Sequence, residues 1–167
     1  GWVENDSFKA QGIEEIRPRI ADSIKGLVSG FYEKELSQGK FVFDKSRNWI
    51  SLIEILEESF EQKVKIIVTV RDVREVLSSF EKIHRRDKMI KGNSCSSVTD
   101  RSLSLLSEGS VIGNSVNSIK DAFETGVADR LIFLPFNSLT SNTEKVMKHL
   151  HSSIGIKDFN YDSKNVN

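Results

Sequence analysis

Two short stretches of the chain bring together side chains that could bind or transfer a charged group. The first is Asp44-Lys45-Ser46-Arg47-Asn48-Trp49, directly after the apolar triplet Phe41-Val42-Phe43. The second is Arg71-Asp72-Val73-Arg74-Glu75, which follows the apolar run from Val64 to Val70 and leads into a segment carrying Ser78 and Ser79. An arginine at a strand end and a serine eight residues later, about two helical turns on, can reach one cluster of anionic oxygens. The arginine serves as a two-pronged donor and the serine as a short one. The same spacing suits a plainer use, a salt bridge from Arg71 to Asp72 or Glu75 with Ser79 on an ordinary helix face. In the first stretch, Lys45 can neutralise charge on a transferring group and Asp44 can accept a proton. An Asp–Lys loop pair would look the same. Trp49 reads as a packing residue at the start of the next helix.

Other chemistry has weaker support. His149 and His151 stand two apart, on different faces of a helix, which is poor spacing for a shared metal, and His84 sits at a helix end where positive charge suits the dipole. No metal is expected. The single cysteine, Cys95, leaves no intrachain disulfide and has no histidine nearby to activate it. No serine occupies a G-x-S-x-G setting, which argues against an α/β-hydrolase.

The elements that must hold these residues follow from hydrophobic periodicity. Ile13, Ile16, Ile20, Ile24, Leu27, Val28 and Phe31 recur at three- and four-residue steps and predict an amphipathic helix. Pro18 places its start at about residue 17. Strands are expected at Phe41-Val42-Phe43, Val64–Val70 and Leu131–Phe136, with Pro135 marking the end of the last or an edge position. Between them, Ile50, Ile53, Leu56 and Phe60 form one helical stripe, and Val73, Val76, Leu77, Phe80 and Ile83 form a second. Val116, Ile119 and Phe123 form a third, with Gly126 as its C-cap. Ser141 followed by Glu144 predicts a capping box for a final helix that buries Val146, Met147 and Leu150. Residues 1–11 read as an irregular lead-in, and 87–110 as a long mobile surface segment or lid. Alternating strands and helices imply an α/β fold with a parallel sheet, a single domain over 12–167.

Lys and Arg together number 24, as do Asp and Glu, so bulk attraction to nucleic acid or to an acidic membrane is not expected. No apolar run approaches the ~18 residues that span a bilayer, and the first residues lack a signal-peptide layout. The expectation is a cytoplasmic chain.

Taken together, the stretches FVFDKSRNW, KIIVTVRDVREVLSSFEKIHRR and DRLIFLPFNSLTSNTEKVMKHLHSSIG resemble, in order, the landmarks of the sulfotransferases that use 3′-phosphoadenosine 5′-phosphosulfate (PAPS). The wording around Asp-Lys-Ser-Arg-x-Trp looks most like bacterial and phage-type members, and the likeness runs over residues 12–166. The resemblance implies a P-loop-NTPase-like parallel sheet flanked by helices, and transfer of a sulfuryl group to a hydroxyl or amine acceptor without a metal. It assigns Arg71 and Ser79 to the donor's 3′-phosphate and Lys45 to charge stabilisation on the donor. Arg47 stands where cytosolic members carry histidine, which leaves Asp44 as the candidate base. Phe136, Leu139 and residues 141–144 match the family's closing strand, turn and capped helix.

The family's opening strand and Pro-x-Ser-Gly-Thr/Ser loop have no counterpart here. Gly26-Leu27-Val28-Ser29-Gly30, the nearest string, falls inside the first predicted helix. The expectation is a fold that lacks its N-terminal strand and phosphosulfate loop, with an unprotected sheet edge that favours a homodimer. Two alternatives share the layout: a P-loop-type nucleotide or metabolite kinase, and a non-catalytic remnant of the fold.

Overall fold

Isoleucines at three- and four-residue steps build the first helix. In the computed structural model, which describes residues 12–86 and 97–157, helix α1 spans Ile13–Phe31. It therefore starts earlier than Pro18 suggested and runs through that proline. The ring costs one backbone hydrogen bond in the second turn, and burial of Ile16 and Ala21 on either side of it offsets that loss.

The chain divides into two compact units, Gly1–Val64 and Lys65–Asn167. In the first, α1 is followed by a short helix α2 (Glu33–Ser37), a 3-10 turn (Ile50–Leu52) and helix α3 (Ile53–Phe60). Helix α3 lies against α1 with Ile53, Ile55 and Leu56 buried. Arg17 of α1 donates to Glu58 at 2.5 Å, and Lys25 pairs with Glu61 at 3.6 Å, so the contact is laced by ions along its edge. The Glu58 carboxylate raises the pKa of Arg17. Only part of the predicted stripe is covered. Leu27 and Phe31 remain 73% and 76% exposed, because α3, about 12 Å long, cannot cover a helix of about 28 Å. Phe41-Val42-Phe43 does not form the expected strand. A strand exists only through ladder partners, and the described part of this unit contains none.

The second unit is built on strands β1 (Ile66–Val70) and β2 (Leu131–Pro135), which pair in parallel as expected. Register runs from Ile66↔Leu131 to Val70↔Pro135. Parallel strands need a long crossover, here helices α4 (Val73–Arg86), α5 (Val98–Leu106) and α6 (Val111–Glu124). After β2 come α7 (Phe136–Ser141) and α8 (Thr143–Ile154). Leu131, Leu134, Ala122 and Leu150 form the buried centre, and Phe123 stacks on Phe133 at 6.4 Å. Lys65 Nζ donates to the Ser153 carbonyl, fastening the approach to β1 to the last turn of α8. His151 is buried while His149 is exposed, so the two imidazoles do face different ways.

Two boundary expectations fail for local reasons. The capping box at Ser141 does not form. Ser141 closes α7, and α8 starts after Asn142 with no side-chain cap. Thr143 instead donates its hydroxyl back to Leu139 O at 2.7 Å, linking the two helices. Much of the 87–110 segment is ordered: residues 87–96 lie outside the described residues, but 98–106 form α5. Its N-cap is Ser97, whose hydroxyl accepts from the Asp100 N–H and donates to the Asp100 carboxylate. Helix α6 then packs so closely that a Cβ on Gly113 would meet Ser107 O at 2.0 Å. Weak apolar periodicity hid α5, because polar contacts tie it to its neighbour. Arg101 forks two nitrogens, Nη2 and Nε, onto Glu81 of α4, at 2.8 and 2.9 Å, with side chains only 19% and 16% exposed.

That fork makes a pH prediction. Arg101, helped by Arg85, holds the Glu81 carboxyl down to about 2. A depressed folded pKa contributes stability above the ordinary carboxylate value and loses it as pH falls through about 2. Arg101→Gln raises the Glu81 pKa partway back, read by NMR titration, and flattens the acid limb of urea-measured stability. An unchanged Glu81 titration in the variant rejects the fork as the cause.

Candidate functional site

The parallel register brings the second chemical stretch into shape. Val70 and Pro135 are the last paired residues, so Arg71 and Phe136 leave their strands side by side. The Arg71 guanidinium carbon sits 4.6 Å from the centre of the Phe136 ring. Arg71 Nε donates to Glu75 at 2.7 Å, which leaves its terminal nitrogens without a polar partner among the described residues. Ring and carboxylate together restrain a side chain that would otherwise sample many rotamers.

Asp72 then starts α4. One of its carboxylate oxygens accepts from the Arg74 backbone N–H at 2.9 Å, an N-terminal cap. The same carboxylate takes both Nε and Nη2 of the Arg74 side chain, at 3.1 and 2.7 Å. These Arg74 hydrogen bonds, side chain first and backbone second, bring Asp72 down to about 2.

One turn on, α4 turns Ser78, Ser79 and Lys82 to the same side as Glu75, as positions three, four and seven residues on must be. Arg71, Asp72, Arg74, Glu75, Ser78, Ser79 and Lys82 line one surface cleft of about 560 Å³. Arg71 and Ser79, paired on spacing alone, thus share a wall. The plainer salt bridge to Glu75 is present as well. The two coexist, because the bridge uses only one of the guanidinium's nitrogens. A cleft with two hydroxyls and a guanidinium face suits an oxyanion of phosphate size. No group of three or more His, Cys, Asp or Glu among the described residues could hold a metal ion.

Asp44 and Lys45 belong to the first unit, on the stretch between α2 and the 3-10 turn. Asp44 is anchored at both oxygens: Tyr32 donates its hydroxyl to one, and Trp49 its indole N–H to the other at 2.9 Å. Each oxygen keeps lone-pair capacity for one more donor. Trp49 is therefore more than packing. Lys45 and Arg47 are exposed.

Spacing missed three residues. Asp72 with Glu75 three positions on is a helix-start signature, and it could have been read as a cap. Lys82 follows Ser79 by one helical turn. Phe136 reads in the sequence only as part of the closing strand-and-turn landmark; its place under Arg71 had no local signal, because only the register of two strands about 65 residues apart in sequence puts it there.

A protein-family model described as a sulfotransferase domain matches residues 28–164. No curated protein and no solved structure matches the chain. Among the described residues, no helix is long and apolar enough to cross a membrane.

The Asp44 anchor is testable by titration. Donation to the carboxylate stabilises the neutral phenol and raises the Tyr32 pKa. Tyr32 and Tyr161 are the two tyrosines of the chain, so an ultraviolet titration can follow both. Asp44→Asn lowers one midpoint toward the ordinary tyrosine value. Two unmoved midpoints contradict the anchor.

Proposed function

The chain belongs to the sulfotransferase family, and on that premise we propose that it transfers a sulfuryl group from PAPS to a hydroxyl or amine acceptor. The observation that carries the reading is the cleft shared by Arg71 and Ser79. In it, Arg71 offers two terminal nitrogens to the donor's 3′-phosphate while Phe136 and Glu75 hold its orientation. Ser79 donates a hydroxyl to the same phosphate from the first half of α4. The nucleotide donor supplies an activated sulfuryl group, whose transfer requires the acceptor to lose a proton.

Lys45 is assigned to stabilising negative charge on the donor side as the bond to sulfur breaks, and Asp44 to accepting the acceptor's proton. Support for Lys45 comes from its place in the motif order and from its exposure. Support for Asp44 is the tethered carboxylate, which Tyr32 and Trp49 present in one orientation with acceptor capacity left over. The net charge of zero fits a small anionic nucleotide better than a polymer, because the positive charge is local.

Calorimetry with adenosine 3′,5′-bisphosphate tests the site. Arg71→Ala weakens binding by at least about tenfold, as expected for lost charge-assisted hydrogen bonds. Unchanged affinity overturns the Arg71 assignment. Thermal stabilisation by ATP with no response to the bisphosphate points instead to a phosphoryl-transfer enzyme.

A further inference from the structure

Five charged residues line the Arg71 cleft, and four of them cancel in pairs. Arg71 donates to Glu75 at 2.7 Å, and Arg74 closes on Asp72 with two nitrogens. At these separations each pair presents the outside with a dipole, whose field fades faster with distance than that of a lone charge. Lys82 is the fifth. It forms no ion pair among the described residues, although it lines the same cleft. The carboxylate next to it in sequence, Glu81, is already engaged by Arg85 and Arg101. The cleft therefore carries one net positive charge, and that charge resides on Lys82.

Position supports the same conclusion. Lys82 follows Ser78 by four residues and Ser79 by three, so it stands one turn further along the same side of α4. An ammonium on a four-carbon stem offers three donors with adjustable direction, which complements the restrained fork of Arg71.

We propose that Lys82 is a third phosphate-binding group of this cleft. It supplies the unbalanced charge that draws in the 3′-phosphate, while Arg71 and Ser79 fix the phosphate's orientation. This inference rests on reading the cleft as the 3′-phosphate site. It adds a residue that the Arg71/Ser79 spacing does not include.

The test compares adenosine 3′,5′-bisphosphate with adenosine 5′-monophosphate by calorimetry at low and high salt, using the full chain. Lys82 is exposed on a helix, and glutamine is a good helix former, so Lys82→Gln keeps the fold. It weakens bisphosphate binding about fivefold at low salt, and the gap closes toward 1 M salt, where screening acts within about 3 Å. Affinity for the monophosphate stays the same, and Lys82→Arg retains most of the bisphosphate preference. A simple packing role for Lys82 would not produce this salt dependence.

The controls separate two kinds of failure. If the wild type prefers the bisphosphate and Arg71→Ala abolishes that preference, while Lys82→Gln leaves it intact, the role of Lys82 is overturned and the site reading survives. If the wild type shows no preference, or Arg71→Ala leaves the preference unchanged, the site reading fails and this inference fails with it.

Discussion

The parallel pairing of β1 with β2 is the constraint on which the candidate phosphate cleft depends. Because Val70 pairs with Pro135, Arg71 and Phe136 emerge together at the carboxyl ends of the strands. In open parallel sheets that is where ligands bind, because apolar strands give way there to polar loops and helix starts. A slip of one residue would turn each side chain to the other face and separate the guanidinium from its ring. Buried Leu131 and Leu134, with Phe133 stacked on Phe123, oppose such a slip. The hydrophobic register of the sheet thereby fixes the position of a polar side chain at its edge.

Much of the charge in the described chain is paired locally. Arg71 with Glu75, Arg19 with Glu15 and Arg85 with Glu81 are neighbours one helical turn apart, and Arg74 closes on Asp72 two residues away. Such pairs are largely exposed and add little stability by themselves. What they do is set the local field, so that a chain of zero net charge can still present a small positive cleft. Some carboxylates reach further: Glu81 also accepts from Arg101, twenty residues on, and joins α4 to α5, while Glu58 and Glu61 pair with Arg17 and Lys25 of α1. The first unit shows the same economy around Asp44, where a phenol and an indole take the place of a cation.

Membership of the sulfotransferase family was legible because its landmarks are short and local. A strand ending in Arg-Asp, a serine eight residues after that arginine, and a closing strand with a turn need no tertiary information to be seen. Elements defined by distant partners were harder. Phe41-Val42-Phe43 has strand composition, yet composition supplies no ladder partner, and the segment stays outside the described sheet. Helix α5 has the opposite problem. Its serines and threonine weaken the apolar pattern, while the Ser97–Asp100 cap and the Arg101 fork supply order that a hydrophobicity reading does not register. Ser141 and Glu144 make a capping pattern, but α7 extends through Ser141 and uses it as a last helical residue.

By itself, the sequence determined the α/β character, the helical stripes, the two strands that pair, and the grouping of Arg71 with Ser79. These are near-neighbour relations, set by the periods of helix and strand and by short spacings. Only the tertiary structure decided that Phe136 lies under Arg71 and that Glu75 occupies only one of the guanidinium's nitrogens. It also decided that Lys82 is left as the cleft's net charge. The reason is that contact geometry and charge pairing depend on strand register and on competing partners. Two carboxylates, Asp72 and Glu75, stood close enough in sequence to pair with Arg71, and the folded backbone selected Glu75.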